Sequence, residues 1–199
     1  MLRIVVASVL IFSGATIQAH AGPLHDAARD GDVETVREMA GQGTALDAPG
    51  DNGETPLILA ILEGHADVVE ALIEQGADVM ARNERGLTPL HAAAYAGSAG
   101  TARLLLDHGA ELEDRDNVSG ATPLIVAAEQ NHVAVAELLL ARGADLEIPD
   151  GDGFTALTQA WAKQRPQMVR LLKRHGATCQ PIEILGSEDY HRRCVEAGT

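Results

Sequence analysis

Residues 88–93 read Thr-Pro-Leu-His-Ala-Ala, and shorter versions of this motif recur along the chain. A Thr-Pro-Leu or Thr-Ala-Leu triplet begins at residues 55, 88, 122 and 155, with spacings of 33, 34 and 33 residues. A Gly-Ala pair begins at residues 76, 109, 143 and 176, with the same three spacings. Because two separate series keep one register, the sequence indicates an internal repeat of about 33 residues.

The residue types within one period predict two helices and a turn. Proline at the first helical position lacks an N–H group that would have no partner there, and the preceding threonine can cap the helix. Alanine in the first helix allows close packing, and a leucine pair in the second helix fills the space between units. Glycine after the second helix favours the left-handed conformation that ends it, and Asp-Gly clusters such as residues 150–153 favour a tight turn.

These residues resemble the ankyrin repeat, whose signature is close to the Thr-Pro-Leu-His-Ala-Ala of residues 88–93. Gly64-His65 and Asn131-His132 stand at the Gly-His position of that family. The resemblance covers residues 23 to about 178. It implies an all-α solenoid of about five helix-turn-helix units, joined by short β-turn or hairpin connections, and protein binding as the usual function.

Five units are predicted, near residues 23–53, 54–86, 87–120, 121–153 and 154–178, which together form a repeat domain over residues 22–178. Residues 179–199 would then be a C-terminal capping tail. Unit five departs from the pattern, with Ala156 in place of proline, Trp161 in place of a small residue, and Pro166 where the second helix should begin. Such departures are expected in a terminal unit, because one of its faces has no neighbour.

The first 21 residues have the three parts of a secretory signal peptide: a positive charge at Arg3, a mostly apolar run over residues 4–17, and Ala-His-Ala at 19–21. A transmembrane or lipid anchor is the alternative, which the shortness of the run disfavours. We expect cleavage after Ala21 and no membrane insertion of the mature chain. The predicted location is the bacterial periplasm, or else the extracellular space.

The composition and the net charge disfavour two classes of partner. The chain has 199 residues, 46% of them hydrophobic, with only five aromatics and a formal net charge of −14. Nucleic acid and anionic membranes are disfavoured, because phosphate binding needs clustered lysine and arginine. We expect a monomer without a cofactor.

The two cysteines, Cys179 and Cys194, both follow the last repeat marker. An even number of cysteines in an exported chain favours a disulfide, which would fold the tail over unit five. Free thiols are one alternative. Zinc is another, because His175, Cys179, His191 and Cys194 offer two nitrogens and two sulfurs.

No catalytic motif is present in the sequence, so we predict a protein that is not an enzyme. His65 and His132 recur in phase two repeats apart, so they cannot share one ion, and we interpret them and His91 as backbone-binding residues. The acidic cluster at residues 150–153 lacks the distant Glu of a calcium loop and is interpreted as a turn. Residues 117–119 (Asn-Val-Ser) form a glycosylation sequon, which matters only in a eukaryotic pathway.

The resemblance to ankyrin repeats implies a binding surface at the turn tips and near the end of each first helix. By alignment, the partner-binding residues are Asp51, Asn52, Glu54, Leu62, Glu63, Glu84, Arg85, Leu87, Tyr95, Val118, Glu129, Gln130, Asp152, Phe154 and Lys163. Its apolar members would be exposed anchors, and its acidic members suggest a partner with a basic surface.

Three functions follow from these patterns. The leading hypothesis is a non-catalytic scaffold for protein–protein interaction, with a partner of unknown identity. The second is a metal-binding or enzymatic protein that uses the C-terminal His and Cys residues. The third is a periplasmic accessory of an enzyme or toxin, which differs from the first only in its partner.

Overall fold

The structure, a computed structural model, describes residues 22–181, 184 and 188–196 of the chain. The predicted signal peptide, residues 1–21, lies outside the described residues. Eleven α-helices and one 3-10 turn, Asp51–Gly53, occur in the described part, and no strand does. The helices are α1 Pro23–Asp30, α2 Val33–Gly41, α3 Pro56–Glu63, α4 Ala66–Glu74, α5 Pro89–Ala96, α6 Ala99–Asp107, α7 Pro123–Gln130, α8 Val133–Ala141, α9 Ala156–Ala162, α10 Pro166–Arg174 and α11 Glu188–Glu196.

The helices begin and end where the local chemistry predicts. The hydroxyl oxygen of Thr55 accepts a hydrogen bond from the N–H of Ile58 at 3.3 Å, and Thr122 caps α7 in the same way. Proline occupies the first turn of α3, α5, α7 and α10, the last of these at Pro166. The glycines at 76, 109, 143 and 176, just after the second helix of units two to five, have φ near +90°, which residues with a side chain rarely adopt.

The helix pairs stack into one continuous solenoid. First helices α1, α3, α5, α7 and α9 pack in sequence, and second helices α2, α4, α6, α8 and α10 form a layer behind them. The alanines at residues 60, 93, 127 and 160 are fully buried, as are the leucines at 72, 105, 139 and 172. The predicted all-helical ankyrin-type fold is therefore confirmed, including the register of its core.

The connections between units are turns and not two-stranded hairpins. Each of three turns is closed at its base by one backbone hydrogen bond, and these bonds run from Gly50 N to Glu54 O (2.9 Å), from Asn83 N to Leu87 O (3.1 Å) and from Asp150 N to Phe154 O (2.9 Å). A single closing bond is too little pairing to form a ladder, so within the described residues the connections take the β-turn form of the prediction.

A second set of hydrogen bonds joins each unit to the next through side chains. A side chain in one unit accepts a bond from a backbone N–H that follows the Gly-Ala pair of the next unit. The bonds run from Asp78 N to Asp47 Oδ1 (2.9 Å), from Glu111 N to Met80 Sδ (3.3 Å), from Asp145 N to Glu113 Oε1 (2.7 Å) and from Thr178 N to Glu147 Oε1 (2.8 Å). These bonds give partners to backbone N–H groups that lie beyond the ends of the second helices.

The C-terminal tail is tied to unit five by a disulfide and by Gln180. Cys179 is bonded to Cys194 of α11, as the cysteine count favoured, so neither is a free thiol. The amide oxygen of Gln180 accepts hydrogen bonds from Thr155 N (3.2 Å) and from the Thr158 hydroxyl, and its NH₂ donates to Gly153 O at 2.7 Å. Gln180 thereby holds the start of the helix pair of unit five.

Candidate functional site

A groove of about 690 Å³ runs across the three middle units, between the turn tips and the first helices α3, α5 and α7. It is lined by Asn52, Glu54, Ile58, Leu62, Asn83, Glu84, Arg85, Leu87, His91, Ala92, Tyr95, Ser119, Ala121, Val126, Glu129 and Gln130.

One side of the groove is a row of turn tips that are bonded to one another. Each tip donates a backbone hydrogen bond to the tip before it, from Glu84 N to Asn52 O (3.1 Å), from Val118 N to Arg85 O (2.9 Å) and from Gly151 N to Ser119 O (2.8 Å). The tips approach closely because glycines occupy the contact: a Cβ on Gly86 would lie 2.3 Å from the carbonyl oxygen of Asp116. This side of the groove is therefore held in place before any partner binds.

An ion pair beneath the tips adds to this rigidity. The guanidinium of Arg82 donates two hydrogen bonds to the buried carboxylate of Asp114, one unit further along, and a third to the carbonyl of Gly86 at 3.2 Å. The hydrogen bond to Asp114 raises the pKa of the Arg82 guanidinium. The pair links the second and third tips.

The floor of the groove is apolar, and the middle unit contributes only a small side chain to it. Ala92 of α5 stands where the neighbouring units have Leu59 and Val126, so the middle unit has the smallest side chain at this position. Ile58 of α3 and Val126 of α7 supply the larger apolar side chains of the floor.

The other side of the groove is formed near the C-terminal ends of α3, α5 and α7. Tyr95 is 58% exposed and Leu62 is 37% exposed, and both line the groove. The backbone carbonyl of Tyr95 accepts a hydrogen bond from His132 Nε2 at 2.9 Å, which fixes the backbone of this residue. Because its side chain is largely in solvent, the ring is available for contact with another molecule.

Charges on the groove are predominantly negative. Glu54 and Glu84 stand on the tip side, with Arg85 beside them, and Glu129 lies opposite. Only Glu129 among these carboxylates is within ion-pair distance of a cation in the described residues, with Lys163 Nζ 4.0 Å away. The tip side therefore presents two carboxylates that no described cation neutralises.

Nine of the fifteen predicted binding residues line the groove, and the structure brings them together from three units. Six do not line it: Asp51, Glu63, Val118, Asp152, Phe154 and Lys163. Val118 projects from a tip and is 82% exposed, as expected of an apolar residue on that surface.

Leu87 and Phe154 are partly buried, so the expectation that they are exposed was wrong. They lie at the base of a turn. The backbone hydrogen bond that closes the turn keeps this part of the chain close to the stacked helices. Glu54 and Ala121 at the same repeat position are partly or fully buried as well.

The floor residues Ile58, Ala92 and Val126 were missed by the sequence analysis. They lie three or four positions before Leu62, Tyr95 and Glu129 on the same helices. Residues at that spacing share a helix face, so helical periodicity could have found them.

The histidines are structural, as interpreted from the repeat. His65 Nε2 donates to Arg29 O and His132 Nε2 to Tyr95 O, both at 2.9 Å and both into the preceding unit. His91 Nε2 donates to Ala121 O at 2.9 Å, while its Nδ1 accepts from the N–H and the hydroxyl of Thr88. Each of these three imidazoles joins two units, and His91 uses both ring nitrogens in doing so.

His91 makes the stability of the fold sensitive to pH. Burial lowers the pKa of the His91 imidazole below its ordinary value of 6.5, so the unfolded chain takes up this proton at a higher pH than the folded one. Its contribution to stability is therefore present above pH 6.5 and is lost as the pH falls below that value, by up to about 1.4 kcal/mol per pH unit for one proton.

We expect the free energy of unfolding to be lower at pH 5.5 than at pH 7.5, and the difference to shrink in the His91→Gln variant. Glutamine retains an acceptor and a donor but does not titrate. Urea titrations of both proteins at both pH values measure this, and an identical pH dependence would contradict the role given to His91.

The C-terminal His and Cys residues do not form a metal site. Cys179 and Cys194 are joined to each other, and His175 and His191 donate to backbone carbonyls at 3.0 and 2.8 Å. Within the described residues, no group of three or more His, Cys, Asp or Glu side chains could hold a metal ion.

Two other sequence motifs, the acidic cluster and the glycosylation sequon, have structural roles. Asp150 Oδ1 accepts hydrogen bonds from the N–H groups of Asp152 (3.0 Å) and Phe154 (2.9 Å), which makes the acidic cluster a turn. The side chain of Asn117 bonds Ser119 and Ala121, so the sequon asparagine helps to hold a turn tip.

Stacked helix pairs with a preformed groove across their turn tips define a repeat protein of the solenoid class. Comparison with protein-family models then identifies the repeats: the model for ankyrin repeats (3 copies) matches residues 6–83, 24–116, 78–150 and 113–183. The chain therefore belongs to the ankyrin repeat family, whose members are generally protein–protein interaction modules and typically non-catalytic. A search of curated proteins finds no match.

None of the described helices is both long enough and apolar enough to cross a membrane.

Proposed function

We propose that this protein is an exported, non-catalytic scaffold that binds a protein partner in the groove between the turn tips and the first helices. The observation that carries the proposal is the ring of Tyr95. It is a large side chain, more than half exposed, beside an apolar floor and in the middle unit of the solenoid. Large aromatic residues near the centre of an interface are frequent anchors of binding energy.

The rigidity of the groove supports the same function. The tips are bonded to one another and the floor belongs to the packed first helices, so little conformational entropy is lost when a partner binds. The family membership supports protein binding in general, and the groove supplies the surface.

Site-specific crosslinking tests this proposal. A photoreactive phenylalanine analogue in place of Tyr95 is expected to give a covalent partner adduct in cells. The matched control places the analogue at Arg103, an exposed residue of α6 in the same unit that does not line the groove. Adducts at residue 103 but not at residue 95 would locate binding elsewhere.

Export is the second part of the proposal. The pattern of Arg3, the apolar run at 4–17 and Ala-His-Ala at 19–21 supports it, and so does the disulfide, because such bonds persist mainly in oxidising compartments. The periplasm is the compartment proposed.

N-terminal sequencing of protein from its native host is expected to begin Gly22-Pro23-Leu24, since α1 begins at Pro23 and cleavage after Ala21 leaves the helix intact. Cell fractionation provides the control. A mature protein that retains Met1 would refute cleavage at this site.

A further inference from the structure

We infer that the groove binds a segment of its protein partner in which a large apolar side chain lies next to lysine or arginine. This inference rests on the proposed function and adds the chemistry of the bound segment. Three features of the groove carry it: the exposed apolar side chains beside its floor, the charges that line it, and the lack of a described ion pair to either tip carboxylate, Glu54 or Glu84.

The floor selects an apolar side chain. Ala92 is the smallest side chain of the floor, and Leu62 and Tyr95 beside it are 37% and 58% exposed. An apolar side chain seated there would remove apolar surface of Leu62, Tyr95 and the partly exposed Val126 from water, which is the main favourable term in association.

The tip side selects positive charge. Glu84 is exposed and Glu54 is partly exposed, and neither lies within 4.0 Å of a described lysine, arginine or histidine nitrogen. Glu129 on the other side is partly compensated by Lys163. The tip carboxylates are thus available for pairing, and the net charge of −14 favours approach of a basic segment.

One cation on the same tip provides a built-in control. Arg85 follows Glu84 directly, and both side chains are exposed and line the groove. A basic segment would be attracted by Glu84 and repelled by Arg85, whereas an acidic segment would respond in the opposite way. Neutralising each residue in turn therefore reports the sign of the charge that binds.

The experiment starts from a random peptide library displayed on phage. Peptides are selected on the immobilised wild-type protein and counter-selected on the Tyr95→Ala variant, so that only those that need the groove are kept. We expect the selected peptides to be enriched in a large apolar residue flanked by lysine or arginine. Their affinity, measured by fluorescence polarisation, should fall as the NaCl concentration rises.

The charge variants are then measured with a selected peptide. We expect Glu84→Gln to weaken binding about two- to fivefold, the range for an exposed ion pair, and Arg85→Gln to leave the affinity unchanged or increase it. The thermal midpoints of both variants should match that of the wild type, because neither side chain takes part in the packing.

The outcomes separate this inference from the function on which it rests. Peptides that depend on Tyr95 but are acidic or uncharged, or an affinity that rises with Glu84→Gln, would overturn the basic segment and keep the groove as the binding site. A selection that gives no peptide dependent on Tyr95 would overturn both.

Discussion

Leu105→Ala is expected to lower the free energy of unfolding by about 2–5 kcal/mol. Leu105 is fully buried in α6, in register with the leucines at 72, 139 and 172 of the neighbouring second helices. Truncation removes apolar contacts and leaves a cavity between units that the surrounding helices cannot fill completely. In a solenoid each unit is stabilised by its neighbours, so a cavity in the middle unit weakens two interfaces at once.

Urea denaturation followed by circular dichroism measures this loss. The matched control is Leu104→Ala, the same substitution one residue earlier on the same helix, where the side chain is only partly buried. We expect a clearly smaller loss there. If the two variants had the same denaturation midpoint as the wild type, or if Leu104→Ala were the more damaging, the assigned register of the core would be wrong.

Tyr95→Ala is expected to weaken partner binding at least tenfold and leave the fold intact. Truncation of an aromatic anchor near an interface centre often costs about 2 kcal/mol or more of binding energy. The fold should tolerate the change, because the hydrogen bond that Tyr95 contributes to the stack comes from its carbonyl, which alanine retains. Its ring is more than half exposed, so little packing is removed.

Isothermal titration calorimetry with the partner captured by crosslinking provides the measurement, and the thermal midpoint provides the check on folding. The Tyr95→Phe variant separates the ring from its hydroxyl: we expect it to bind within a few-fold of the wild type if the ring is the anchor. Equal affinity of the alanine variant and the wild type, at equal stability, would place the binding surface outside the groove.

The repeat architecture could be predicted because its signals are local. Proline and threonine at residues 55–56 act within one helical turn, and the glycine at 76 adopts its left-handed conformation for steric reasons that involve only its own backbone. Such preferences recur in each unit with the same spacing, so the period, the helix pairs and the buried leucines were all evident from residue order.

The candidate site was predictable only in part. Alignment with the repeat pattern placed Leu62, Tyr95 and Glu84 on the groove. It placed Phe154 on an exposed tip as well, and the closing bond to Asp150 draws that residue back to a turn base. Whether a side chain at a given repeat position faces solvent depends on how its turn closes, and the spacing of motifs carries no information on that.

Some contacts could be found only from the tertiary structure, because the two residues in contact are far apart in the sequence. Backbone hydrogen bonds between the turn tips join Asn52 to Glu84 and Arg85 to Val118. Gln180 of the tail accepts a hydrogen bond at the start of α9. Each such contact depends on the rotation and rise between stacked units, which are set by the packing of the whole helix layer. Local chemistry thus determined the helices and their order, whereas the stacking of those helices determined the groove, because a concave surface arises only from the relative placement of several units.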